Sequence, residues 1–201
     1  MERHLLAISG GGFSQEENAY IDQFLLNLCK KTLPINICFI ATASDDSPEY
    51  IEKFYKQFQL QEPGHLTIAD LRLDNIQEIV NSFDIVYIGG GNTYHMMQIW
   101  KETKFDQVIR NAYERGVIIC GISAGAICWF EDCYTKKGDA FIEFKGIGVL
   151  QGSFCPHYDI ESRREAFDQW GVEREIKPVY KLYDNESILF INEKTVAKIT
   201  T

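Results

Sequence analysis

A serine between two glycines, in residues 121–126 (GISAGA), has the pattern of a nucleophile held at a tight turn. It follows an apolar segment that predicts a strand and precedes residues 124–130, which favour a helix. Small residues let the chain turn sharply and lift the Ser123 hydroxyl above the sheet. The N–H groups that follow, near a helix N-terminus, could hold a developing oxyanion. A plain glycine-rich turn in which Ser123 only caps the helix is the alternative.

A second glycine-rich loop, residues 89–93 (GGGNT), follows another predicted strand. In a parallel sheet this loop and the turn at Ser123 leave the same carboxyl edge, where ligands bind in open α/β folds. Glycines let backbone N–H groups approach a substrate oxygen closely, so the loop could form the second half of an oxyanion hole. A phosphate-binding or merely structural turn is the alternative. Residues 10–12 (GGG) are expected to be structural.

A serine nucleophile needs a general base, because its hydroxyl is not ionised near neutral pH. Four histidines are available. His4 and His65 begin predicted strands, at the wrong edge of a parallel sheet, and His95 lies in a helix beyond the GGGNT loop. His157 follows a proline in a loop with aromatic neighbours, and it is therefore the candidate base.

Two arginines, Arg163 and Arg164, follow His157 within residues 161–165 (ESRRE). The planar guanidinium group suits bidentate recognition of a carboxylate. Taken alone, this segment is better explained as a solvated helix face with salt bridges.

The elements that must position these residues are short apolar segments alternating with amphipathic ones. Strands are predicted at residues 4–9, 36–42, 65–71, 84–89 and 117–122, and the main helices at residues 16–31, 47–60 and 105–115. Strands that are apolar throughout are typical of parallel sheets covered on both faces. The sequence therefore predicts a three-layer, doubly wound, mainly parallel α/β sheet.

The pattern changes after Ser123. A charged loop is expected at residues 131–139, extended structure at 141–150 and a helix at 160–170. Residues 179–183, 187–192 and 195–200 predict two or three short strands. Whether these strands extend the main sheet is left open by the sequence.

Composition limits the possible partners and compartments. The 201 residues fit one domain, residues 1–201, and 29 acidic against 20 basic residues give a net charge of −9. A nucleic-acid partner is not expected from that balance, nor is a membrane span or a signal peptide, since apolar runs are short. The six cysteines show no metal-binding spacing, so we expect reduced thiols and a cytoplasmic location.

The GGGNT loop, the GISAGA turn and the segment at residues 156–158 (PHY), in this order and spacing, resemble the peptidase E family of aspartyl dipeptidases. Cyanophycinases share this plan. The resemblance covers about residues 4–192. It implies a flavodoxin-like fold similar to class I glutamine amidotransferases. It also implies cleavage of dipeptides with an N-terminal aspartate, with no metal or other cofactor.

The resemblance also implies roles for individual residues. Ser123 would be the nucleophile and His157 the general base. The N–H groups of Gly91 and Ala124 would form the oxyanion hole. Arg163 would bind the acidic side chain of the substrate, and Asn92 is a further expected substrate-binding residue.

The third member of the triad is where this chain departs from the family. Family members carry an aspartate in the loop after the turn helix, but Lys136 stands at that position here. Asp139, a few residues later, is the expected acid. Asp132, Glu131 and Asp159 are alternatives, and Asp159 has the His-x-acid spacing used by amidotransferases.

A serine exopeptidase acting on a small peptide substrate, as a monomer or homodimer, is the leading hypothesis. A cyanophycinase-like enzyme and an esterase of the α/β-hydrolase class are alternatives, although such esterases usually have a longer segment between nucleophile and histidine. A homologue that binds small molecules or peptides but has lost activity through Lys136 is the alternative outside enzymes.

Overall fold

The structure is a computed structural model that describes residues 2–15, 19–31 and 34–200. Within these residues strands alternate with helices, and the chain ends in strands. The strands are β1 (His4–Ile8), β2 (Asn36–Ile40), β3 (Glu62–Leu66), β4 (Ile85–Ile88), β5 (Ile118–Ile122), β6 (Asp132–Lys137), β7 (Ala140–Lys145), β8 (Ser153–Cys155), β9 (Val179–Lys181), β10 (Glu186–Ile191) and β11 (Lys194–Thr200). The helices are α1 (Ala19–Leu28), α2 (Pro48–Gln57), α3 (Ile76–Asn81), α4 (Thr93–Thr103), α5 (Phe105–Glu114), α6 (Ala124–Ile127) and α7 (Glu161–Glu173).

Seven strands form one sheet in the order β11-β10-β1-β5-β4-β2-β3. Strands β1 to β5 run parallel to one another, whereas β10 is antiparallel to both of its neighbours, β1 and β11. Ile122 of β5 pairs with Ile8 of β1, and Gly121 pairs with Ile88 of β4. The loops after β1, β4 and β5 therefore leave the sheet side by side. This sheet confirms the predicted mainly parallel α/β fold and shows that the C-terminal strands extend it.

Helices cover both faces of the sheet, which is why β1, β2, β4 and β5 are apolar along most of their length. Leu5 and Ala7 of β1 belong to one core with the buried residues of α3, α4, α5 and α6. Leu6 and Ile8 belong to the other core, with the buried residues of α1 and α2. The predicted three layers are thus confirmed. Across the described ranges, no helix combines the length and apolar character that a membrane span requires.

Aromatic rings fill the core beneath α2 and fix the loop that follows β1. The ring of Phe13 lies 5.1 Å from that of Tyr87 and 5.6 Å from that of Phe39, both edge-on. Phe39 stacks on Phe54 at 4.8 Å. Edge-to-face and offset pairs each add about 0.5–1.5 kcal/mol beyond area burial. The glycine loop at residues 10–12 is consequently anchored at its far end.

The predicted boundaries of the first helix and the third strand can be compared with the structure. The helix predicted at residues 16–31 is observed as α1, and residues 16–18 lie outside the described part of the chain. The third strand, predicted at residues 65–71, spans Glu62–Leu66, so His65 lies near its carboxyl end and not at its start. The Asp70 carboxylate accepts hydrogen bonds from the Thr67 N–H at 2.7 Å and the Thr67 hydroxyl at 2.6 Å. These local bonds turn the chain away from the sheet.

The charged loop predicted at residues 131–139 is wrong, because β6 pairs with β7 as an antiparallel hairpin there. One face of β6 is buried at Cys133 and Thr135. On the other face Tyr134 stacks on Trp170 of α7 with ring centroids 4.6 Å apart. Alternate residues of β6 thus pack on its two faces, and the charged residues lie near the exposed end of the hairpin.

A buried carboxylate in α1 makes stability depend on pH. Asp22 is 1% exposed, and burial raises the pKa of its carboxyl to about 7 despite hydrogen bonds from the Phe13 N–H and the Gln57 amide. The native state therefore binds this proton more tightly than the unfolded chain, whose Asp pKa is about 4. The free energy of unfolding should consequently decrease as pH rises from about 4 to 7.

We expect Asp22→Asn to remove this pH dependence and to be more stable than the wild type by about 2–4 kcal/mol at pH 8, because asparagine has no charge to desolvate. Urea unfolding at pH 5, 6, 7 and 8 measures both proteins. Parallel pH profiles for the two would contradict the expectation.

Candidate active site

Ser123 lies at the sharp turn between β5 and α6, with φ 51° and ψ −110°. A non-glycine residue adopts such a backbone only when its surroundings hold it there. The Ser123 N–H donates to Ile8 O at 2.9 Å, and Ser123 O accepts from the N–H groups of Ala126 and Ile127 at 3.0 Å. The N–H and the C=O of Ser123 are therefore both held by hydrogen bonds, and its hydroxyl projects from the carboxyl edge of the sheet.

Both glycines of the GISAGA turn are required by close backbone contacts. A Cβ atom on Gly121 would lie 2.0 Å from Gly125 O, and one on Gly125 would lie 2.2 Å from Ile88 O. Neither backbone oxygen can move without breaking the turn or β4. The motif is thus a geometric requirement of the turn that presents Ser123.

The His157 ring bridges Ser123 and an acid. His157 Nε2 lies 3.0 Å from Ser123 Oγ, and Nδ1 lies 2.5 Å from Asp184 Oδ1. An ionised carboxylate only accepts hydrogen bonds, so Nδ1 carries the proton and Nε2 is free to accept from the hydroxyl. This tautomer allows His157 to take the proton of Ser123, as a general base must.

The acid beside His157 is Asp184, in the loop between β9 and β10, and not the expected Asp139. Lys137 pairs with Ala140 across the β6–β7 hairpin, so Asp139 lies exposed in its turn. The prediction of Asp139 as the residue that holds His157 is therefore wrong. That prediction assumed an acid shortly after α6 in the sequence. In the structure the acid instead lies in the loop that leads to the C-terminal strand β10.

The three alternative acids also lie elsewhere. Asp132 pairs with Lys145 at 2.5 Å, and Glu131 is exposed. Asp159 is nearer, since its Oδ1 accepts a hydrogen bond from the Asp184 N–H at 3.4 Å. Asp159 therefore contacts the loop that carries Asp184, whereas the described hydrogen-bond partners of the His157 ring are Asp184 and Ser123.

The glycine loop after β4 lies directly against the serine. A Cβ on Gly90 would be 3.4 Å from the Ser123 Cβ, and a Cβ on Gly91, where φ is 141°, would be 2.1 Å from Ala43 O. Among the described residues, none accepts a hydrogen bond from the N–H of Gly91 or of Ala124. These are the two groups expected to bind an oxyanion.

Asn92 caps α4, a role the sequence did not suggest. Its Oδ1 accepts a hydrogen bond from the His95 N–H at 3.0 Å, and His95 Nε2 lies 2.7 Å from Asp45 Oδ1. The cap holds the end of the glycine loop at the start of the helix. A contact of Asn92 with substrate stays a prediction.

Arg163 and Arg164 begin α7 but differ in their surroundings. Arg164 donates to Tyr158 O at 3.5 Å and pairs with Glu161 at 3.9 Å. Within the described ranges, no residue accepts a hydrogen bond from the half-buried Arg163 guanidinium. Burial raises the pKa of the Cys155 thiol to about 12, and the nearby charge of Arg163 opposes that rise. Arg163 therefore lies close to the segment that carries His157.

The loop at residues 10–12, expected to be structural, borders the acid and the base. A Cβ on Gly10 would lie 2.3 Å from Asp184 Oδ1 and 3.0 Å from His157 Cε1. The pairing of β1 with β5 places this loop beside Ser123, and the sequence carries no local signal for that pairing. Within the described residues, no group of three His, Cys, Asp or Glu side chains could hold a metal ion.

Comparisons with known proteins find peptidases that are similar to this chain. A family model described as Peptidase family S51 matches residues 5–199. The chain is 40% identical over 203 residues to the uncharacterized peptidase YgaJ of Bacillus subtilis (strain 168), covering 99% of this chain and 88% of that protein. It is 30% identical over 168 residues to a peptidase E of Nostoc sp. (strain PCC 7120), covering 79% and 66%. The crystal structure of a peptidase E candidate from Listeria monocytogenes EGD-e shares the fold, with a TM-score of 0.74, 22% identity and 100% coverage of both chains.

The requirement for glycine at the turn can be tested with a matched pair of variants. Gly125→Ala should lower the free energy of unfolding by about 1–3 kcal/mol and slow the reaction of Ser123 with a fluorophosphonate, because the added methyl group displaces the turn. Gly171→Ala is the control, since a Cβ there meets nothing nearer than Val179 Cγ1 at 4.0 Å. Equal stability and reactivity in both variants would show that the turn tolerates a side chain.

Proposed function

Since the chain belongs to peptidase family S51 and is a peptidase, we propose that it is a serine exopeptidase that cleaves dipeptides with an N-terminal aspartate. The observation that carries this proposal is the continuous contact from Ser123 Oγ through the His157 ring to the Asp184 carboxylate. These are the contacts of a Ser-His-Asp triad. Lys136 does not argue against activity, because its place on β6 is not the position of the acid.

The reaction proceeds through an acyl-enzyme. His157 Nε2 takes the Ser123 proton as Oγ attacks the scissile carbonyl carbon, and Asp184 stabilises the imidazolium that forms. The carbonyl oxygen becomes an oxyanion, which accepts hydrogen bonds from the N–H groups of Gly91 and Ala124. His157 then gives its proton to the leaving amine as the C–N bond breaks. Water attacks the ester in the same way and releases the first amino acid.

The specificity part of the proposal rests on Arg163. A half-buried guanidinium without an acceptor among the described residues is free to bind a carboxylate with two charge-assisted hydrogen bonds. Its position on the first turn of α7, six residues after His157, supports this role, as does the effect of its charge on the Cys155 thiol. An aspartate at the substrate N-terminus supplies the matching carboxylate.

A reducing, cytoplasmic setting belongs to the same proposal. None of the six cysteines, all of which lie in described residues, forms a disulfide. Burial raises the pKa of the Cys38 and Cys133 thiols well above their usual range, so these thiols are packed and unreactive.

The proposed triad is tested by substituting each of its three residues, and a substitution of Asp139 is the control. Ser123→Ala, His157→Ala and Asp184→Asn should each lower kcat by roughly 10³-fold or more, since the members of a triad act as a unit. Asp139→Asn should keep near wild-type turnover because its side chain lies in an exposed turn. Release of free aspartate from Asp-X dipeptides is the assay. Wild-type rates in Asp184→Asn, or a crippled Asp139→Asn, would reverse the assignment of the acid.

Arg163→Lys should weaken kcat/KM for Asp-X dipeptides by about 1.5–3 kcal/mol, because lysine lacks the planar fork that grips a carboxylate. The loss should be much smaller for Ala-X and Asn-X dipeptides, which never make that contact. Arg164→Lys is the control, since Arg164 already has partners in Tyr158 and Glu161. Equal losses for all N-terminal residues would mean that Arg163 supports the histidine loop and not the substrate.

A further inference from the structure

Ser9, directly after β1, is fully buried but uses its hydroxyl in two hydrogen bonds. Its Oγ donates to Leu182 O at 3.0 Å and accepts from the His157 N–H at 2.7 Å. One buried hydroxyl thus joins the strand beside the nucleophile to two segments far away in the sequence. A buried hydroxyl with both functions used rigidifies the groups it joins.

Those two segments carry the base and the acid. Leu182 lies two residues before Asp184, and Leu182 O also accepts from the Tyr158 N–H at 2.9 Å. The Leu182 N–H in turn donates to Cys155 O at 3.1 Å. The loop of His157 and the loop of Asp184 are therefore tied to each other, and Ser9 ties both to β1.

The His157 backbone needs such support, because its φ is 52°. A non-glycine residue keeps a left-handed backbone only when neighbouring groups hold it. The bond from the His157 N–H to Ser9 Oγ acts on this residue directly. On the same strand end, the missing side chain of Gly10 leaves room for Asp184 Oδ1 and His157 Cε1.

We propose that Ser9 is a positioning residue that sets the His157–Asp184 pair at the correct distance from Ser123. This inference rests on the proposed serine mechanism, but Ser9 itself touches neither substrate nor the reacting atoms. Without its hydroxyl, the His157 N–H loses its acceptor, and the ring is free to shift relative to Ser123. A misplacement of about 1 Å at a catalytic group costs about 100-fold in rate.

Ser187 provides a matched control. It is also a fully buried serine, it lies on β10 next to β1, and it pairs with Ile8, the residue before Ser9. Its hydroxyl has no hydrogen-bond partner among the described residues. Replacement by alanine removes the same atom at both sites, so the two variants differ in the bonds lost and not in the volume lost.

The experiment compares Ser9→Ala with Ser187→Ala in the full chain. We expect Ser9→Ala to slow the labelling of Ser123 by a fluorophosphonate by about 10- to 100-fold, and to lower kcat for Asp-X dipeptides with little change in KM. The ¹H resonance of the His157 Nδ1 proton should shift or broaden. Ser187→Ala should keep the wild-type rate and resonance. If Ser9→Ala does not fold, Ser9→Cys, whose thiol fills the site but bonds weakly, should show a loss between the wild type and Ser123→Ala.

The outcomes separate this inference from the proposed function. If Ser123→Ala is inactive but Ser9→Ala or Ser9→Cys matches Ser187→Ala in rate and resonance, the role of Ser9 is overturned and the serine mechanism stands. If Ser123→Ala keeps its turnover, the proposed function itself fails. An equal loss in Ser9→Ala and Ser187→Ala would reduce Ser9 to a general packing residue.

Discussion

The site depends on the left-handed backbone of Ser123, which two opposing sets of hydrogen bonds keep in place. This conformation is costly for a residue with a side chain, by about 1–3 kcal/mol, so the surroundings must define it fully. Glycine at positions 121 and 125 follows from that demand, because the chain passes within contact distance of itself and of Ile88. The buried parallel strands β1 and β4, which pair with β5 on its two sides, make the turn rigid.

The same sheet explains how the contacts from Ser123 through His157 to Asp184 form between residues far apart in sequence. Ser123 follows β5, His157 follows β8, and Asp184 precedes β10. Because β10 runs antiparallel to β1, its first residues reach the edge at which the parallel strands end. If β10 were parallel to β1, its last residues would lie at this edge. The loop of Asp184, which precedes β10, would then lie at the opposite edge of the sheet. The antiparallel return is thus what delivers the acid.

Charge acts in the site at short range only. The net charge of −9 would repel an acidic substrate at a distance, but salt screens exposed charges beyond about 8–10 Å under physiological conditions. The proposed bidentate contact of a substrate carboxylate with the half-buried Arg163 would act inside that range, where charge-assisted bonds contribute about 1.5–3 kcal/mol. The proposed preference for an acidic residue is therefore compatible with the acidic net charge of the protein.

The sequence by itself determined the parallel strands, the three layers, the turn at Ser123, the glycine loop after β4 and the histidine, because buried strands and glycine turns leave local patterns. Asp184 left no such pattern, since an acid in a turn between short strands looks like any solvated residue. Ser9 and Gly10 also left no pattern in the sequence, because their partners lie in segments near residues 157 and 184. Only the tertiary structure decided these three positions: their roles arise from strand pairings and hydrogen bonds between segments distant in the chain, which no local periodicity records.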